Sequence, residues 1–241
     1  EARQARAEVA AQDLAALTDF RLGMIEDFDA DVTPRLLSEM AEELQACRFS
    51  LETGPSHRLL DALDAGALDV IVAADMGAAA DWMEIHPLMQ EPFVAAVPKG
   101  RIDQGGDVLE QLTALPLIQY TQRHHMGRQI AAHLALQNLT LAQRFELDSY
   151  HAIMAMVAGG AGWTILTPLG YLRAQRFRDQ AELLPLPFAP LSRRISLKAR
   201  KGVLQDMPAR VAGRLRPLLQ EMIVGPATAR MPWLAEDLKV L

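Results

Sequence analysis

DFRLGMIEDFDADVTPRLLSEMAEELQACRFSLETGPSHRLLDALDAGALDVIVAA, residues 19–74, decides the fold. Asp19–Ile25 reads as an extended strand, and Val32-Thr33-Pro34 then starts a helix, with Thr33 as N-cap and Pro34 at the first helical position. That helix runs from Pro34 to about Gln45. Arg48–Thr53 is a second strand, and Gly54-Pro55-Ser56 supplies a turn and an N-cap. The helix that follows carries Leu59, Leu60 and Leu63 on one side and stops at Gly66. Leu68–Ala74 is a short apolar strand. Strands alternating with helices of this length imply βαβ units and a largely parallel sheet, because each parallel crossover needs a dozen or more residues.

Working outward, residues 1–16 are rich in Ala, Glu, Gln and Arg and read as the tail of a helix. Ile85–Leu88 and Pro92–Pro98 are two more extended runs, and Pro98-Lys99-Gly100 with the polar residues 101–106 marks a lobe boundary. The rhythm then restarts: Asp107–Leu112 helical, Leu115–Tyr120 a strand, Met126–Gln137 a helix, Arg144–Leu147 a strand. Ser149–Val157 is a helix ended by glycines, Thr164–Leu166 a strand, Pro168–Arg176 a short helix and Leu183–Pro187 an extended piece. Pro185, Pro187 and Pro190 precede Arg193–Ala199, whose polar and apolar residues alternate as in a half-buried strand, so a second crossing between lobes is expected there. Met207–Met222 is the last long helix, and the tail 224–241 matches no pattern.

With 241 residues, half of them apolar, the chain can bury a substantial core as two lobes of about 100 residues each. A formal net charge of -6 gives this sequence no electrostatic reason to hold a phosphate backbone. The single cysteine, Cys47, excludes an internal disulfide and any multi-thiolate metal site, which suits a reducing compartment. The least polar stretch, Ala152 to Leu166, is broken by Gly159, Gly160 and Gly162 and is too short to span a membrane.

Several pieces in order carry a resemblance. Leu22-Gly23-Met24-Ile25-Glu26-Asp27-Phe28 followed by Thr33-Pro34-Arg35-Leu36-Leu37 resembles the first βα unit of LysR-type transcriptional regulators. Gly54-Pro55-Ser56 with Leu59, Leu63, Gly66, Leu68 and Asp69 is similar to their G-x-S-x-x-L-x-x-x-L-x-x-G-x-L-D signature. His86-Pro87-Leu88 with Glu91, and Met154 to Gly162 with Leu166-Thr167-Pro168, continue the match over about residues 17–223. Ala161 stands where the family usually has Leu, and Thr167 separates Leu166 from Pro168. The resemblance implies an α/β fold of two Rossmann-like lobes joined by a two-stranded hinge, periplasmic-binding-protein-like of type II. Residues 1–16 would then be the end of a linker helix, 17–98 with 193–223 regulatory lobe I, 99–192 regulatory lobe II, and 224–241 a C-terminal tail. The winged helix-turn-helix that would precede residue 1 is absent from this sequence, so DNA contact is expected only through that missing domain.

The resemblance also implies a cytoplasmic homodimer or homotetramer that binds a small effector between its lobes, with helix one and the sheet edge of lobe I meeting a partner's lobe II. No cofactor, metal, membrane or catalytic role is expected. Ligands in such folds sit where strand ends meet helix beginnings, whose free N–H groups favour carboxylates. Four starts are candidates: Asp27 to Pro34, Gly54-Pro55-Ser56, Thr121 to Gly127, and Asp148-Ser149. The expected effector residues are Asp27, Gly54, Ser56, Thr121, Arg123, His125, Ser149 and Thr167. Ser56 and Ser149 read equally as plain helix caps, Thr121 as simple turn chemistry, and Tyr150 and Trp163 as core or as stacking platforms. Glu26, Asp27, Asp29 and Asp31 form either a solvated acidic turn or partners for Arg123, His124, His125 and Arg128, and suit a cationic or zwitterionic ligand. Asp27 onward lacks the sixth-position Gly and twelfth-position Glu of a calcium loop. His124, His125 and His133 have no Cys or close second His to complete a zinc site. No G-x-S-x-G elbow or Cys–His pair points to an enzyme. The alternative is an extracytoplasmic solute receptor for a small organic or amino acid, which shares the hinged architecture.

Overall fold

The computed structural model describes residues 17–241; the helix expected over 1–16 lies outside the described residues. The chain divides into two compact units, one containing the residues up to Gln90 together with Arg194–Leu241, the other Glu91–Arg193.

In the first unit, β1 (Asp19–Met24), α1 (Val32–Glu43), β2 (Arg48–Thr53), α2 (Ser56–Asp64) and β3 (Val70–Ala74) follow the order read from residues 19–74. β1 pairs in parallel with β2 from Asp19↔Arg48 to Met24↔Thr53, and with β3 from Leu22↔Val70 to Met24↔Val72. Period-two alternation sends Phe20, Leu22 and Met24 into the core, each fully buried. α1 buries Val32, Leu36 and Met40, one apolar residue per turn. β3 is buried along its whole length because β1 and the strand Ser192–Arg200 flank it.

Four expectations are corrected here. α1 begins at Val32, so Thr33 lies inside its first turn, fully buried, and Asp31 holds the cap position. The separate runs 85–88 and 92–98 are a continuous strand β4 (Met83–Pro92) followed by β5 (Val94–Pro98). The sheet is mixed: its order is β11-β4-β10-β3-β1-β2, and β10 (Ser192–Arg200) runs antiparallel to β3. As an interior strand, β10 is not half-buried; Ser196 and Lys198 are buried alongside Ile195 and Leu197.

The sequence tail has a defined place. α7 (Met207–Leu219) passes through a π turn at Gln220–Val224 into α8 (Gly225–Arg230), and the chain ends in β11 (Lys239–Val240). β11 closes the sheet edge by pairing antiparallel with β4. Arg216 secures it, donating to the carbonyls of Leu241 and Pro87, both at 2.8 Å.

The second unit contains α3 (Val108–Thr113), β6 (Leu117–Tyr120), α4 (His125–Leu136), β7 (Gln143–Leu147), α5 (Tyr150–Ala158), β8 (Thr164–Leu166), α6 (Pro168–Arg173) and β9 (Ala181–Pro185). β5 sits between β8 and β9 and is antiparallel to both, while β6 and β7 pair in parallel. Gly160, at φ +77°, ends α5 in the left-handed region where glycine carries no steric penalty. The chain passes from one unit to the other twice, at the end of β4 and near the start of β10.

Candidate functional site

The first unit carries its candidate residues at the carboxyl ends of its parallel strands. The Ile25 N–H donates to the Val72 carbonyl at 3.1 Å and the Gly54 N–H to the Met24 carbonyl at 3.3 Å, which draws the three strand ends together. Asp27 sits half-buried in a single 3-10 turn, Glu26–Phe28, anchored by the buried Phe28. Ser56 does not cap α2. Pro55 holds the cap position, and the Ser56 Oγ instead accepts the Ala74 N–H at 3.0 Å, tying the start of α2 to the end of β3. That bond leaves the hydroxyl proton available to a ligand.

In the second unit the chain leaves β6 at Thr121, which is 1% exposed. Its Oγ1 donates to Glu146 Oε1 at 2.6 Å and accepts the Arg123 N–H at 3.3 Å. Arg123 also reaches Asp148 at 3.7 Å, an exposed pair worth little by itself. Arg128 donates to the carbonyls of Gln122 and Arg123, so its charge braces its own loop. His125 opens α4 behind His124 at the cap position. Ser149 holds the cap position of α5, exposed.

Thr167 has a different environment. It is fully buried, and its Oγ1 caps α6 by accepting the Gly170 N–H at 3.3 Å. Arg193 lies 3.5 Å from the same oxygen and ion-pairs at 2.5 Å with Glu91, whose other oxygen accepts the Leu169 N–H at 3.3 Å. Thr167 therefore belongs to a buried clamp where the chain enters and leaves this unit, rather than to an open loop. Trp163 and Tyr150 are both buried and serve the core; the Tyr150 hydroxyl donates to Met126 Sδ at 3.2 Å.

One pattern separates these helix starts. At α1, α2, α4 and α5, the four named from sequence, no side chain caps the first turn. α3 and α6 are closed by Asp107 and Thr167. α7 is also uncapped and, like α1 with Pro34, carries a proline in its first turn, Pro208, which removes one donor. Helix starts without a side-chain cap attract carboxylates through their N–H groups and the positive end of the helix dipole.

The sequence reading missed Lys198 and Asp75. In β10 the Lys198 Nζ donates to the Ala74 carbonyl at 2.8 Å and lies 3.1 Å from Asp75. The missed signal was structural: an interior strand hides both of its faces, so its polar positions are buried too. Burial pushes the Lys198 ammonium below its ordinary range, and Asp75 partly offsets this. The folded state therefore disfavours the proton more than the unfolded chain does. Stability is expected to rise as pH climbs from the folded-state value towards 10.5, the ordinary lysine value. Lys198→Met should flatten that alkaline rise in urea melts taken from neutral pH upward; an unchanged slope would count against this role.

Cys47 lies between α1 and β2. Burial pushes its thiol up, and Asp19 and Asp69 push in the same direction, so the reactive thiolate is disfavoured. Among the described residues, no helix is long and apolar enough to cross a membrane.

Comparison with known proteins places this geometry. The family model for the LysR substrate binding domain matches residues 18–215. A hydrogen peroxide-inducible genes activator from Dickeya chrysanthemi is 24% identical over 198 residues, 81% of this chain and 64% of that protein. The chain thus spans less than two thirds of that relative's length. Among solved structures, a hydrogen peroxide-bound cysteine-to-serine mutant of OxyR from Corynebacterium glutamicum superposes with a TM-score of 0.70 at 21% identity, over 95% of this chain and 74% of that one. The effector-binding domain of QuiR in complex with shikimate gives 0.65 at 15% identity, over 83% of this chain and 96% of that one. The two-lobed, periplasmic-binding-protein-like fold of type II expected from sequence is the fold found. By its family match, supported by strand order and helix starts, this chain belongs to the LysR substrate-binding domain family, the effector-binding part of LysR-type transcriptional regulators.

Proposed function

We propose that the chain senses a small carboxylate or zwitterion through direct, non-covalent contacts, and that it does so for a cytoplasmic DNA-binding regulator rather than as an enzyme. The observation that carries this reading is the set of uncapped helix starts at α1, α2, α4 and α5. Asp27, Gly54 and Ser56 in one unit, and Thr121, Arg123, His125 and Ser149 in the other, are the contributing residues. In the second unit Arg123 suits a carboxylate, and in the first unit Asp27 suits an amino group. Thr167 acts through the clamp that positions α6. Oligomerisation through α1 and the β2 edge, and DNA contact through a further domain, complete the proposal. The family match does not favour the solute-receptor alternative.

The named relatives raise one mechanistic choice, since one is a peroxide-inducible activator and one structure holds peroxide. A dithiol switch within this domain needs two cysteines, and this sequence carries Cys47 alone. Cys47, with its raised thiol, is also a poor nucleophile towards peroxide. A thermal-shift panel of small carboxylates and amino acids is expected to yield stabilising ligands. Cys47→Ser should respond to them like the parent chain, and peroxide should leave both melting curves in place. A panel without hits, alongside a peroxide shift lost in Cys47→Ser, would overturn the proposal.

A further inference from the structure

The first unit holds a cavity of about 220 Å³ beside β3, lined in part by the loop that follows this strand. Its wall is apolar at Leu60, Met76 and Met83 and charged at Asp75, Arg194 and Lys198. None of these residues was among the expected effector contacts, and all belong to the first unit, where the cavity adjoins the start of α2: Lys198 donates to the carbonyl of Ala74, whose own N–H goes to Ser56.

Its charges are not balanced. The Lys198 side chain is 5% exposed. An ammonium has three N–H donors, and this one meets the Ala74 carbonyl and the Asp75 carboxylate and no other acceptor among the described residues. Asp75 is itself shared: its Oδ2 accepts the Ser196 hydroxyl at 3.1 Å, while its buried Oδ1 has the Lys198 ion pair and no hydrogen bond among the described residues. Arg194 adds a second cation on the same wall; its guanidinium makes no hydrogen bond or ion pair among the described residues. Two cations against one carboxylate leave a net positive wall facing an apolar one. A buried ammonium with a spare donor gains most from an anion that brings its own apolar cover. The lowered affinity of Lys198 for its proton agrees, since Asp75 does not fully offset the cost of burying the charge.

We propose that this cavity binds a compact monocarboxylate whose carboxylate meets Lys198 and Arg194 and whose carbon chain lies on Leu60, Met76 and Met83. Valerate, a carboxylate on a short unbranched chain, has both parts and serves as the probe.

The test is methyl NMR on the whole chain carrying 13C-methyl methionine, titrated with sodium valerate, with Met76→Leu and Met83→Leu assigning the two signals. Saturable shifts at both methyls are expected, along with none from the uncharged amide valeramide or from pentylammonium. Arg194→Ala, on an exposed side chain, and Lys198→Met should each weaken binding about tenfold or more, the scale of a lost charge-assisted contact. Arg194→Ala decides the matter alone if Lys198→Met does not fold. The proposal fails if valerate moves neither methyl at tens of millimolar, or if pentylammonium binds in its place. It also fails if Arg194→Ala leaves the titration unchanged. Shifts confined to Met126, in the other unit, would report the helix-start loops and would likewise overturn this site while sparing the proposed function.

Discussion

Glu91→Ala is expected to destabilise the domain by about 3–5 kcal/mol, the cost of leaving a buried guanidinium without its carboxylate. Glu91 is fully buried and Arg193 nearly so, and they meet at 2.5 Å. Removing Glu91 also strips the Leu169 N–H of its acceptor and leaves the start of α6 to Thr167 alone. In a domain of this size each kcal/mol moves the melting temperature by about 2–4 °C, so thermal denaturation should show a fall of roughly 6–20 °C. Replacing both partners, Glu91→Met with Arg193→Met, should recover much of the loss, because two apolar side chains carry no desolvation cost. A single variant that melts within about 2 °C of the parent would show that the pair is hydrated and contributes little.

Gly127→Ala should also destabilise, against the ordinary preference of helices. Gly127 lies in the first turn of α4, where helix propensity alone predicts a gain of about 0.5–1 kcal/mol from alanine. The added Cβ would fall 2.1 Å from the Thr121 carbonyl oxygen and 2.6 Å from that of Tyr120. Both atoms are backbone, so either α4 or the loop holding Thr121 and Arg123 must move. Overpacking of this kind costs about 1–3 kcal/mol, which exceeds the propensity gain. The loop shift should weaken effector binding as well. Gly213, in the middle of α7, is the control: a Cβ there meets nothing within 4 Å, so Gly213→Ala should be neutral or stabilising. Urea melts of the two variants give opposite signs if geometry decides and the same sign if propensity does.

What the sequence made legible follows from the range of the forces involved. Period and punctuation are local, so the βα order of residues 19–74 and the glycine-ended helix Tyr150–Ala158 could be read directly. The helix starts were legible for the same reason, since turn residues mark them. Caps were less so: Ser56 has the right residue type, but its hydroxyl goes to Ala74, a partner 18 residues away. Thr33 and Thr167 show the two outcomes of one residue type, the first buried within a turn and the second a working cap. The interior position of β10 depends on its neighbours β3 and β4, and only the assembled sheet reveals that Lys198 is buried. β11 was illegible because a two-residue strand carries no period at all.

The central claim is that uncapped helix starts hold the effector, and backbone amide hydrogen exchange with a stabilising ligand from the panel tests it most directly. Slowed exchange is predicted for the first-turn amides of α1, α2, α4 and α5, with little change at the side-chain-capped starts of α3 and α6. Protection that bypasses all four uncapped starts, or that is equal at the capped ones, would contradict the account.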